Sequence, residues 1–206
     1  NAGEALTVMV ALLAGMTLPV SAVQILWINL ITATTLGIAL AFEPSEGGTM
    51  QRPPRPRDAP LLSGELMWHI LLVSLLFVAF VFGIFAYARA QGYSVALAQT
   101  MAVNMLVVLE IFHLFFIRNI YGASLTWKAV RGTPAVWLSV MVVTVGQFAI
   151  TYVPVLQKVF GTEAVSLADG VLIVAAGAAF FALVEIEKQM RLAFRQGPTR
   201  QSELMR

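Results

Sequence analysis

Six stretches of roughly twenty residues carry almost no charge, and that fact limits what this chain can become more than any motif does. A hydrocarbon layer about 30 Å thick is crossed by about 20 apolar residues in a helix. Segments of that kind run over 1–17, 22–42, 67–88, 96–117, 134–153 and 167–184, the first being the shortest. Lipid offers no partner to an open backbone N–H or C=O, so each is expected to be helical. Composition agrees: 12% of the residues are charged and 59% hydrophobic, whereas soluble domains average roughly 25% charged. The expected fold class is an all-α membrane protein, a bundle of six transmembrane helices. With no cysteine, a disulfide framework and a thiolate metal site are excluded. Asn1 opens directly into an apolar helix with no initiating Met and nothing like a signal peptide, so the sequence reads as a piece of a longer polypeptide.

The connections supply the orientation. Of thirteen Lys and Arg residues, eleven fall in three places: the loop 43–66, the connector 118–134 and the end of the chain from Lys188. Only Arg89 and Lys158 fall on the other side. Positive residues stay on the cytoplasmic side, which puts both termini and the proline-rich loop there. The expected organisation is a six-helix domain over 1–188, the cytoplasmic loop 43–66 within it, and a basic tail over 189–206. "TLPVS" around Pro19 reads as a tight hairpin, and 153–166 as a short mixed loop. Arg52, Arg55 and Arg57 would meet anionic headgroups or a cytoplasmic domain; the sequence leaves both open.

Chemistry is sought where charge is costly. An ionisable side chain inside a span costs several kcal/mol even by low estimates and points to function. Glu4 and Glu110 qualify. Asn1 and Glu4 share a helix face, as do Asn29 and Thr32. Together these oxygens suit a hard cation, calcium taking six to eight such ligands. Thr34, Thr35 and Asn104 read instead as interhelical glue. His113, three residues after Glu110, has three open readings: pairing with Glu110, proton shuttling or helix packing. His69 reads as interfacial. Glu185 and Glu187, beside Lys188, read as interface anchors. Glu163 and Asp169 sit where a helix start favours a carboxylate. "AAGAA" (175–179) reads as a close-packing patch, and the aromatic run 77–88 as lipid-facing. No phosphate-cradling glycine loop, nucleophile with a base, or nucleic-acid pattern is present.

The series "NAGE", "PVSAVQILWINLIT", "FEP", "MQRPPR" and "PLLSG", in that order, resembles the C-terminal half of the membrane domain of type II P-type cation-transporting ATPases, above all the sarcoplasmic-reticulum-like calcium pumps and their bacterial relatives. "TMAVNMLVVLE" resembles the helix of those pumps that contributes a further carboxylate. The resemblance implies that the spans are transmembrane helices five to ten, with Asn1, Glu4, Asn29, Thr32 and Glu110 as cation ligands. It implies lipid, the other helices and the cytoplasmic domains of the same polypeptide as partners, and a bacterial plasma membrane as the setting. Mg2+ and ATP would serve the full-length protein; no catalytic or cofactor-binding residue is expected in this stretch. One position departs from the pattern. The pumps carry an aspartate after the "NLIT" threonine, and here it is Ala33. Losing that acid weakens divalent binding, so calcium or another divalent ion stands beside a single ion, a monovalent ion or a proton as cargo. A gradient-driven secondary carrier and a purely structural bundle are the competing classes. The former often shows internal repeats, and none is visible here.

Overall fold

The computed structural model describes residues 2–42, 64–117 and 133–203, and every regular element among them is a helix. In chain order these are α1 (Ala2–Leu13), α2 (Ala22–Ala41), α3 (Gly64–Ala90), α4 (Val95–Ile117), α5 (Pro134–Tyr152), α6 (Pro154–Phe160) and α7 (Leu167–Glu203). Five of them, α2, α3, α4, α5 and α7, are long and apolar enough to cross a membrane. Asn1, most of the proline-rich loop (43–63), the connector 118–132 and residues 204–206 lie outside the described residues.

The first expected span is shorter than its apolar run. α1 stops at Leu13 rather than continuing to residue 17. Gly15 is the cause. It holds φ 61°, a left-handed conformation that glycine alone adopts freely. Its N–H donates to the Leu12 carbonyl at 3.2 Å, and the Met16 N–H reaches back to the Ala11 carbonyl at 2.9 Å. That pattern uses the last carbonyls of the helix and ends it. The chain re-enters helix at Ser21, whose hydroxyl accepts from the Gln24 N–H while the Gln24 side chain accepts from the Ser21 N–H. This reciprocal box starts α2.

The loop expected over 153–166 contains α6. Pro154 has no N–H to donate and holds Val153 extended (φ −84°, ψ 117°), so α5 ends there and a new helix starts on the proline. Between α3 and α4 the chain turns over residues 91–94. Gly92 holds φ 79°, and Ser94 caps α4 by accepting from the Leu97 N–H at 2.9 Å.

α4 is the centre of the bundle. It touches α2, α3, α5 and α7, whereas α1 packs on α3 and α2 on α5. Met101, Met105, Leu106 and Leu109 of α4 are fully enclosed, while outer positions such as Leu167 (86% exposed) and Leu13 (82%) present hydrocarbon outward. Between spans, packing and small residues replace the aqueous hydrophobic effect. At the "AAGAA" patch α7 crosses α4 so closely that a Cβ on Gly177 would lie 2.4 Å from Val108 Cγ1. At Gly3 the same atom would lie 2.8 Å from Phe77. The aromatic run of α3 does not simply face lipid: Phe77 is buried, its ring edge-on to Phe180 at 5.5 Å and 81°.

Candidate cation-binding site

Three helices bring the site together. Glu4 lies in the first turns of α1, Asn29 midway along α2 and Glu110 in the last third of α4. Glu4 (5% exposed) and Glu110 (8%) are both buried. The Glu4 carboxyl lies within side-chain hydrogen-bonding range of both Glu110 and Asn29. Two carboxylates this close repel one another unless a proton or a cation lies between them. That requirement is the chemistry of the site.

Thr32 is buried one turn beyond Asn29, and its hydroxyl donates to the Ile28 carbonyl at 2.7 Å. The donor is thus used locally, while the oxygen lone pairs stay available. Asn29 donates to the Ile25 carbonyl at 3.0 Å and is exposed. Ala33, one turn from Asn29, is exposed as well. Thr35 bonds the Ile31 carbonyl, and Thr34 faces outward. Asn1 lies outside the described residues. Among the described residues no group of three or more His, Asp or Glu converges as a metal cluster, so the acids at this point number two.

Neighbouring polar residues have other employment. Asn104 accepts from Gln147 at 2.9 Å and Thr151 at 3.4 Å, and Gln147 accepts from the Trp27 indole at 3.0 Å. This chain of bonds ties α4 to α5 and α5 to α2. Asp169 stands at the start of α7, where it accepts from Ser166 at 2.6 Å, Tyr93 at 3.3 Å and Tyr87 at 3.5 Å. The negative charge of Asp169 is the main cause holding the Tyr93 phenol above its usual range.

At the other end of the bundle the residues read as interfacial have partners on neighbouring side chains. Glu185 is 5% exposed and meets Lys188, which is 0% exposed, at 2.7 Å. The Lys188 ammonium also lies 4.6 Å from the centre of the Phe116 ring. A Glu and a Lys three apart share a helix face, and the bundle turns that face inward. Glu187 accepts from the Trp68 indole at 3.0 Å and pairs with Arg191 at 3.4 Å. His69 Nε2 meets His113 Nε2 at 3.2 Å.

Comparison with known proteins follows this geometry. Residues 17–190 match the family described as "Cation transporting ATPase, C-terminus". A "Probable cation-transporting ATPase F" of Mycobacterium bovis is 40% identical over 185 residues, which is 89% of this chain and 20% of that protein. The "Cation-transporting ATPase pma1" of Synechocystis is 30% identical over 167 residues (79% of this chain, 18% of that protein). A "Calcium-transporting ATPase" of Bacillus subtilis is 29% identical over 178 residues (84% and 19%). The chain spans about a fifth of the length of these curated relatives. Helices built to cross a membrane, two buried carboxyls meeting between them and a family match over most of the length lead to one conclusion: the chain belongs to the C-terminal membrane region of the P-type cation-transporting ATPases.

Proposed function

We propose that this chain is the ion-pathway part of an ATP-driven cation pump, in which Glu4, Glu110, Asn29, Thr32 and Asn1 supply oxygen to the passing ion. The observation that carries the reading is the approach of Glu4 to Glu110 and Asn29 inside an apolar bundle. Burying two acids together in lipid is costly unless something positive neutralises them. Asn29 and Ala33 on the uncovered face of α2 suit completion of the site by other helices of the same polypeptide.

Calcium or another divalent ion is the proposed cargo, since an oxygen-only donor set suits hard cations. Ala33 removes one acid from the family pattern, and this favours a monovalent ion or proton as the second reading. The enzyme activity proposed is ATP hydrolysis by the whole polypeptide, with Mg2+ and the phosphorylation and nucleotide domains outside this stretch. Six spans with both termini cytoplasmic, in a bacterial plasma membrane, complete the proposal. The bias of Lys and Arg toward one side supports that orientation.

The test is cation-stimulated ATPase activity of the intact protein across a panel of ions. Glu4→Gln and Glu110→Gln are expected to raise the ion concentration for half-maximal activity on the order of tenfold or more, since even outer-shell changes cost that much. Ala33→Asp is expected to strengthen dependence on a divalent ion. Unchanged ion dependence in both Gln variants removes the site; transport that persists without ATP removes the pump.

A further inference from the structure

α5 carries none of the proposed cation ligands, yet it grips two helices that do. Gln147 of α5 is buried and spends both ends of its amide on other helices. Its Oε1 accepts from the Trp27 indole of α2 at 3.0 Å, and its Nε2 donates to Asn104 Oδ1 of α4 at 2.9 Å. Chemistry forces the orientation of both amides. An indole nitrogen can only donate, so the Gln147 atom facing it is the oxygen. The Gln147 nitrogen then faces Asn104, which must offer its own oxygen. Asn104 Nδ2 turns to the Thr100 carbonyl at 3.0 Å.

Trp27 is seated as well as bonded. A Cβ on Gly146 would lie 3.1 Å from Trp27 Cζ2, so the ring rests on bare backbone. Phe160 of α6 meets the ring edge-on at 5.2 Å and 65°. Gln24, one turn earlier on α2, donates to the Phe160 carbonyl at 3.2 Å. Successive helical residues turn by about 100°, so Asn29 lies about 200° round α2 from Trp27. On that opposite side Asn29 comes within hydrogen-bonding range of Glu4. Fixing Trp27 therefore fixes the direction of Asn29. Side chains reach about 5–6 Å from a helix axis, so a turn of about 10° moves a ligand oxygen by about 1 Å. A binding constellation tolerates about 0.5 Å.

We propose that Gln147 is a positioning residue for the cation site: its two amide bonds set the rotation of α2 and its spacing from α4, and so keep Asn29 and Thr32 in register with Glu110. The inference rests on reading those residues as cation ligands. Gln147 acts only through others: Trp27 on α2, and Asn104, six residues before Glu110, on α4. Outer supports of this kind change metal affinity by about 10–100-fold. A plain tie between helices would change stability alone.

The experiment measures cation-stimulated ATPase activity of the intact protein, separating the half-maximal ion concentration from the maximal rate. Gln147→Leu is expected to raise that concentration on the order of tenfold with the maximal rate nearly unchanged. Trp27→Phe, which keeps a ring and removes the indole N–H, should raise it by less, and the double variant no further than Gln147→Leu. Trp27→Phe carries the test should Gln147→Leu fail to fold. Tyr152→Phe is the control: it removes a different α5 bond, to the Val165 carbonyl, and should leave ion dependence unchanged whatever it costs in thermal stability. Glu4→Gln and Glu110→Gln are measured alongside. If they shift ion dependence while Gln147→Leu and Trp27→Phe only lower the melting temperature, positioning by Gln147 is overturned and the site stands. If no variant shifts it, the site falls and this proposal with it. An equal shift in Tyr152→Phe also overturns it, since general loosening of α5 would then suffice.

Discussion

Replacing Lys188 by Met tests how deeply the far end of the bundle is sealed. Lys188 is 0% exposed and its ammonium lies 2.7 Å from Glu185. Met has nearly the same length and removes only the charge. An exposed pair of this spacing is worth about 0–1 kcal/mol. A buried pair behaves differently: removing one partner strands the other charge and costs about 3–5 kcal/mol. Here Glu185 keeps a hydrogen bond from Gln189 at 2.8 Å, which places the expected loss near the lower limit, about 3 kcal/mol. The contact of Lys188 with Phe116 adds to the loss, because a desolvated cation–π contact is worth about 2 kcal/mol. The double variant Glu185→Leu, Lys188→Met removes both charges and should recover most of the stability, as buried pairs often give way to apolar residues without cost. The assay is denaturant unfolding of the intact protein in mixed micelles, read as a double-mutant cycle. If Lys188→Met costs less than about 1 kcal/mol and the two changes are additive, the pair is solvated and the sealed end described here is wrong.

Gly177→Ala should destabilise by about 1–3 kcal/mol through overpacking against Val108 and Phe112, whereas Gly83→Ala, with open space at its Cβ, should not; thermal unfolding of both variants decides. Gln147→Leu leaves the Trp27 indole N–H without its acceptor and should cost about 1–3 kcal/mol, with a red-edge change in Trp27 fluorescence as an independent sign. The Tyr93 phenol is raised from 10.0, chiefly by the charge of Asp169. A group whose folded value is raised contributes stability that is present below its unfolded value and lost as pH climbs through the folded one. Melting curves should therefore show an alkaline step above about pH 10 that Tyr93→Phe abolishes.

Hydropathy alone made the helices legible, because a run of twenty uncharged residues in lipid has only one way to satisfy its backbone. What hydropathy cannot see is a left-handed glycine. "LLAGMTLP" is apolar through Met16, yet Gly15 closes α1 at Leu13. Charge at the two acids was equally legible: Glu4 and Glu110 have no neighbouring cation in sequence, so their burial asked for a reason. The burial of Glu185 and Lys188 was not legible, because proximity to a basic tail looks the same whether the pair faces water or Phe116. The pairing of His69 with His113 crosses 44 positions and left no local mark. Which face α3 turns toward α7 is set by Phe77 and Phe180 packing edge-on, and that is information held by two helices at once.

The grip on α4 has a mechanical corollary. A rod clasped along four sides cannot slide or tilt without dragging its neighbours, so α4 can only travel together with α2, α3, α5 and α7. α1 is attached along one flank, and α2 leaves the face bearing Asn29 and Ala33 open. α1, held through α3 rather than by α4, can therefore shift while that frame keeps its packing.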